Sequence, residues 1–372
     1  MSKDNLIFIH KLLKAVADAI IIVFIPLYIL KETNDIKLSM SYLVIYSIFV
    51  MFFMGILKKF IQKYGVIAIM IHFIPIIIAE GLLSFLDINI WNIIIVSLLM
   101  GLGQALYSVP INLIFTFGDK KTNVGKFMIA TNIGKLIFTL VSGFILSSTI
   151  KNSFLILSIA SIVFYILCFI PLIFAYKELV EKYKAYKEEP KEEIHIDKWF
   201  ILFHVSFGLF QPVMDNIVPL YLYMNDLSFQ AVTIVIVLVE FLKIIANYIS
   251  QAMVRRGQAI ILVITGFFLF MISILSILFI KNPIALYIFS CTASVSFPLT
   301  FVPMFGLYCN YVKDTNNVFN GMTRRDFDIF SFRPGMYALS YLGFALYPCL
   351  IVGVIAVPIM LVAEIKLLKS SK

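Results

Sequence analysis

The chain has 372 residues, of which 61% are hydrophobic and only 14% charged, with a net charge of +9 and a mean hydropathy of +0.99. Soluble domains carry about 45–50% apolar and about 25% charged residues. That excludes a water-soluble enzyme with a single core. A spanning helix takes about 20 apolar residues, so a chain of this length and composition is filled by spans and leaves no room for a separate catalytic domain.

Apolar runs bounded by charged or turn-forming breaks predict twelve spans: 7–30, 38–57, 66–86, 92–116, 127–149, 153–175, 199–223, 228–250, 258–280, 283–308, 329–346 and 348–367. The last two are parted only by Tyr347 and Pro348, so one long bent helix is the alternative there. Of the basic residues, 21 fall in the N-terminus, the loops after even-numbered spans and the C-terminus, with Lys366 at the very end of the last span included. Four (Lys31, Lys37, Lys151 and Lys281) fall in the opposite loops. This asymmetry predicts cytoplasmic termini and a multi-pass protein of the plasma membrane. The positive charge is therefore a topology signal, and no nucleic-acid partner is expected. Lys11, Lys14 and Asp18 interrupt the first apolar run, which is not a cleavable leader. Cys168, Cys291, Cys309 and Cys349 show no paired spacing, so neither a metal nor a cofactor is expected.

The charged segment Tyr176–Lys198, with Pro190 inside it, reads as a linker between an N-terminal bundle (1–175) and a C-terminal bundle (199–372). The two bundles repeat one another. Ile25-Pro26-Leu27-Tyr28 returns as Val218-Pro219-Leu220-Tyr221, and Lys63-Tyr64-Gly65 returns as Arg255-Arg256-Gly257. Gly134 and Gly143-Phe144 return as Gly335 and Gly343-Phe344. Parallel duplication of six spans is a transporter pattern.

On these features the chain resembles the major facilitator superfamily of secondary transporters. The fold implied is all-α, with about 12 transmembrane helices in two six-helix bundles. The resemblance also implies a gate in the loop after the second span, where an acidic residue, a basic residue and a glycine recur. Here Gln62, Lys63 and Gly65 occupy those positions, with Gln62 in place of the acid. Arg255 and Gly257 stand in the second copy, with Val254 at the acidic position.

Ionisable groups inside a span normally face a cavity or a partner. The seventh span places His204, Gly208, Gln211 and Asp215 on one face. The fourth places Ser97, Gly101, Gln104, Ser108 and Asn112, and the fifth Thr131, Lys135, Thr139 and Ser142. The eighth has Glu240, Lys243 and Asn247, the first Lys11, Lys14 and Asp18, and the eleventh begins near Arg333. In the family resembled, the first, fourth, seventh and tenth helices line the cavity together with the second, fifth, eighth and eleventh. These stripes mostly follow that division, His72 and Glu80 of the third span being exceptions. Candidate substrate or proton contacts are Asp18, Gln104, Asn112, Lys135, Gln211, Asp215, Glu240, Lys243 and Arg333. Glu240 with Lys243, and Lys14 with Asp18, are also spaced to pair with each other. Arg333 has the alternative reading of an interfacial anchor beside Arg324 and Arg325, whose own partners would be Asp326 and Asp328.

The expected function is alternating-access transport of a small solute, with protons as a candidate coupling ion carried by Asp18, Asp215 or Glu240, and lipids as the surroundings. A cationic lining would suit an organic anion or a sugar derivative. A lipid or lipid-linked-sugar flippase on the same fold is the main alternative. A membrane-embedded transferase is a weaker one, since its best surface residues, His195 and Asp197, lie in the charged linker. No phosphate-binding loop exists: six residues separate Gly118 from Gly125-Lys126, where four are required. A primary pump is thereby disfavoured, and no enzymatic activity is expected.

Overall fold

The computed structural model describes residues 3–116, 123–185, 196–280, 282–315, 318–343 and 345–370. All regular elements among them are helical, as hydrocarbon demands, because a helix satisfies its backbone polar groups internally. In chain order they are α1 (Lys3–Ile20), α2 (Ile25–Thr33), α3 (Ile36–Ile56), α4 (Lys58–Ile71), α5 (Phe73–Phe85), α6 (Ile90–Thr116), α7 (Asn123–Ser147) and α8 (Ser153–Ala185). The second half of the chain contributes α9 (Lys198–Pro212), α10 (Val218–Met224), α11 (Phe229–Arg255), α12 (Ala259–Phe279), α13 (Pro283–Asp314), α14 (Val318–Ser331), α15 (Arg333–Gly343) and α16 (Tyr347–Ser370).

Among the described residues nine helical stretches are long and apolar enough to cross a bilayer, and α4 with α5, bent by 44°, makes a tenth. Short turns with side-chain caps separate several of them. Asp35 accepts from the Lys37 amide at 2.8 Å to start α3, and Asn282 accepts from Ile284 and Ala285 to start α13. The outward faces are apolar: Phe174 is 75% and Phe279 82% exposed. Surfaces like these aggregate in water and are stable against lipid.

Two helices break at corresponding points. α1 and α2 are joined by a 3₁₀ turn, Ile22–Phe24, just before Pro26. α9 and α10 are joined by a π turn, Val213–Ile217, just before Pro219. The repeat that relates Pro26 to Pro219 also carries one break onto the other, so each copy interrupts its first helix at the same depth.

Within the first half of the chain α1 packs on α7 and α8, and α3 on α6. Within the second, α12 packs on α13 and α9 on α16. Across the halves α7 packs on α11, α3 on α14 and α15, α2 on α10, and α6 on α14. Two of the tight approaches depend on glycine. Gly143 of α7 lies against the Thr233 side chain, and Gly208 of α9 lies against the Ile329 carbonyl, where a Cβ would overlap the backbone.

The C-terminal region differs from the sequence expectation. Helical structure starts at Val318, eleven residues before the span set at 329–346, and takes in Arg324, Arg325, Asp326 and Asp328. These charges neutralise one another, Arg324 with Asp328 at 2.8 Å and Arg325 with Asp326 at 2.6 Å, so they do not end the helix. Residues 345–346 separate α15 from α16, which pack on each other as two helices rather than one bent one. The segment read as a linker from Tyr176 begins as the continuation of α8 to Ala185. Pro190 and His195 lie outside the described residues, and Asp197 caps α9 through the Trp199 amide.

Gly208→Val should lower the unfolding temperature of the purified protein, costing about 1–3 kcal/mol through overpacking against backbone that cannot rotate away. Gly306→Val should leave it nearly unchanged, since nothing lies within 4 Å of a Cβ built there. A thermal melt in mild detergent separates the two.

Candidate functional site

A cavity of about 440 Å³ lies between the two halves of the chain, and all nine of the residues proposed as contacts line it. They come from α1 (Asp18), α6 (Gln104 and Asn112), α7 (Lys135), α9 and its π turn (Gln211 and Asp215), α11 (Glu240 and Lys243) and α15 (Arg333). Tyr42 and Tyr46 of α3, Phe297 and Phe301 of α13, and Arg325 and Asp326 of α14 complete much of the wall.

The charges form three groups. On α1 the Lys14 Nζ donates to both Asp18 oxygens, at 2.6 and 2.9 Å, and the Tyr165 hydroxyl donates to Asp18 at 2.7 Å. Lys14 also sits over the Tyr107 ring at 4.4 Å. Behind this group, away from the cavity, lie buried His72 and Glu80, the latter accepting from the Ser161 hydroxyl at 3.1 Å. The two exceptions in the polar pattern therefore lie inside the first half, His72 bonded to the Ile69 carbonyl three residues back.

The second group joins α9–α10 to α11. Lys243 is 3.2 Å from Asp215 Oδ1 and 3.2 Å from Glu240 Oε1. Gln211 Nε2 donates to the other Asp215 oxygen at 3.1 Å. The sequence left Asp215 with no basic residue within reach on its own helix. The structure supplies Lys243 from α11, so the expected Glu240–Lys243 pair is a triad of two carboxylates and one ammonium. Lys243 and Glu240 are buried, and Asp215 faces the cavity more openly.

The third group crosses between the halves. Arg325 Nη1 is 2.6 Å from Asp326. Asn112 of α6 donates its side-chain amide to Asp326 at 3.1 and 3.2 Å. Farther into the molecule Tyr46 meets Phe330 edge-on at 6.5 Å. At the turn between α1 and α2 the halves meet through Phe24 and Phe229, 5.9 Å apart.

Arg333 is not an interfacial anchor. It is 9% exposed and donates Nε to the Gly208 carbonyl at 3.1 Å and Nη2 to Gln211 Oε1 at 2.8 Å. Its guanidinium stacks over Phe330 at 4.2 Å. No carboxylate among the described residues forms an ion pair with it. Lys135 lines the cavity half-buried, likewise without an ion pair or hydrogen bond to the described residues.

The loop residues proposed as gates lie elsewhere. Lys63 is exposed over the Tyr64 ring at 4.8 Å. Gly65 is packed against Tyr183, whose hydroxyl donates to the Ile61 carbonyl at 2.6 Å. Gln62 is half-buried, and Arg255 and Gly257 are exposed. The tie seen across the halves near the end of α6 is Asn112–Asp326. Sequence reasoning placed Arg325 and Asp326 ahead of the eleventh span and expected the Arg–Asp pairing that is found, but it did not bring them into the cavity wall. Their opposite signs, one and four residues apart, were the signal that they could enter the protein together.

The family model described as Major Facilitator Superfamily matches residues 7–323. Two crystal structures of a bacterial homologue of the iron transporter ferroportin, both outward-facing and one soaked with iron, are similar to this chain. Each has a TM-score of 0.71 and 13% sequence identity, with 100% of both chains covered. At that identity the likeness concerns the fold. No curated protein sequence matches the chain.

Removing the shared cation of the triad strands two carboxylates. Lys243→Met should therefore destabilise the protein by about 3–5 kcal/mol, read as a drop in the melting temperature. Adding Glu240→Gln to that variant should recover part of the loss, because the buried half of the uncompensated charge is then gone.

Proposed function

The chain belongs to the major facilitator superfamily, and from that premise we propose that it is a secondary active transporter of a small solute. In this reading two six-span bundles, 1–175 and 199–372, rock about the central cavity, joined by the linker 176–198 with both termini in the cytoplasm and the protein in the plasma membrane. The observation that carries the reading is the convergence on one cavity of nine polar side chains from both halves of the chain. A helical protein in lipid gains nothing from collecting charges at such a place unless they meet water or a solute there.

Contacts between the halves occur toward both ends, Asn112–Asp326 at one and Phe24–Phe229 at the other. A rocking motion must break one set while keeping the other. We assign proton coupling to Asp18, Asp215 and Glu240. The triad holds two carboxylates against one ammonium, which leaves one formal negative charge that a proton can take. Asp215, on the π turn, is the member most open to the cavity.

The neighbouring structures are named for iron transport. In this cavity the carboxylates are already engaged: Asp18 with Lys14, Asp215 and Glu240 with Lys243, and Asp326 with Arg325. Among the described residues no group of three or more His, Cys, Asp or Glu is disposed to hold a metal ion. The reading therefore favours a solute other than a metal ion, and a transporter rather than an enzyme.

Alternating access has a test that needs no known solute. Gln104→Cys, in a background without Cys168, Cys291, Cys309 and Cys349, should react with a membrane-impermeant maleimide added from either face of oriented vesicles. Labelling from one face only would argue against alternating access. Once a solute is in hand, pH-driven uptake should be lost in Asp215→Asn or Glu240→Gln with solute exchange retained. Survival of pH-driven uptake in these two and in Asp18→Asn would remove proton coupling.

A further inference from the structure

Resting on the transporter reading above, we propose that the solute is an amphipathic organic anion whose carboxylate or phosphate head is held between Lys135 and Arg333. The argument starts from which charges are already satisfied. Each carboxylate that lines the cavity has a cation within salt-bridge distance. The converse fails: Lys135 and Arg333 line the same cavity with no ion-paired carboxylate among the described residues.

With Lys14 counted beside its partner Asp18, the described charges of the site are four carboxylates against five cations. A cation left alone in a low-dielectric wall is costly, and a group that brings a negative charge relieves that cost. A solute cation would add to the excess, and a neutral solute would leave it in place.

Arg333 also has the means to recognise an oxyanion. Two of its five N–H donors are taken by the Gly208 carbonyl and Gln211 Oε1. These bonds, with the stacking on Phe330, fix the plane of the guanidinium. Three donors remain, and a fixed guanidinium suits a carboxylate or phosphate better than a mobile point charge does. Lys135, on the other half of the chain, supplies that point charge. The head would therefore touch both halves, which is where a solute must bind if its binding is to shift one half against the other.

The body of the solute is set by the aromatic part of the wall. Phe207, Phe297 and Phe301 stack on one another with ring centroids 5.1–5.4 Å apart and face the cavity. An aliphatic or aromatic body fits there, and a polyhydroxylated one would lose its hydrogen bonds. Two sources share this chemistry, a soluble organic acid and an anionic lipid.

The test is calorimetric titration of the full chain in phosphatidylcholine nanodiscs with hexanoate, benzoate, hexyl phosphate, neutral hexanamide and cationic hexylammonium. A second arm incorporates phosphatidylglycerol. At least one anion should bind, and neither hexanamide nor hexylammonium should. Lys135→Met should weaken anion binding about 10- to 100-fold, the worth of one charge-assisted contact. Lys135→Arg should stay within about threefold of wild type. Lys135 makes no described hydrogen bond or ion pair, so the variant retains its packing, and a melting curve checks this. Arg333→Gln should act in the same direction, with partial rescue by Arg333→Lys.

Loss of soluble-anion binding on addition of phosphatidylglycerol, but not on addition of the same amount of further phosphatidylcholine, would keep the site and name a lipid as cargo. Binding of hexanamide or hexylammonium that is indifferent to Lys135→Met would overturn the inference, as would a folded protein that binds none of the anions. Both results leave the transporter reading intact if Gln104→Cys is labelled from both faces. Anion binding at Lys135 with labelling from one face only would retain the site and remove the transport.

Discussion

The interaction on which the structure depends is the pairing of charges inside the part of the chain that lipid surrounds. Hydrocarbon offers neither hydration nor counter-ions, so a charge inside must be met by another part of the chain. Lys243 meets two carboxylates, Lys14 meets Asp18, and Arg325 meets Asp326. The first of these joins α9–α10 to α11, and the last, through Asn112, ties α14 to α6. Taken alone such pairs add little net stability, because desolvation offsets most of the attraction. Their effect is positional. Each fixes which helix face meets which, and the apolar residues outside face lipid without any such requirement.

That division explains what the sequence could reveal. Spans and their order follow from apolar runs, which need only length and hydropathy. Polar stripes were legible for the same reason: a Gln, Asp or Lys at three- and four-residue spacing inside an apolar run has to face something other than lipid. Partners near in sequence were legible, as with Lys14–Asp18 and Glu240–Lys243; distant ones were not. Asp215 and Lys243 are 28 positions apart and Asn112 and Asp326 are 214 apart, and no local pattern links them. The Arg324–Asp328 segment was misread in extent because hydropathy counts charges singly, whereas the helix carries them as neutral pairs. His72 and Glu80 broke the family pattern in sequence, and the structure places them among polar groups of their own bundle.

The internal repeat shows a similar mixture of symmetry and departure. An offset of 193 carries Pro26 onto Pro219, and it also carries Asp18 onto Gln211 and Ile22 onto Asp215. All four of these latter positions line the cavity. The carboxylate has thus moved by one helical turn between the copies, from a position held by a lysine of its own helix to one held by a lysine of a neighbour. Duplication supplied the two walls, and substitution made them chemically different.

The paired helix breaks make them geometrically different as well. A 3₁₀ turn winds the chain at about three residues per turn, tighter than the α-helix, whereas a π turn bonds i to i+5 and is looser. Repeat-related helices are therefore overwound in one copy and underwound in the other at the same level. Side chains beyond the two breaks are rotated in opposite senses about their axes, and the cavity between them has no internal two-fold equivalence. A solute lying there would meet two ends that differ in shape and in charge.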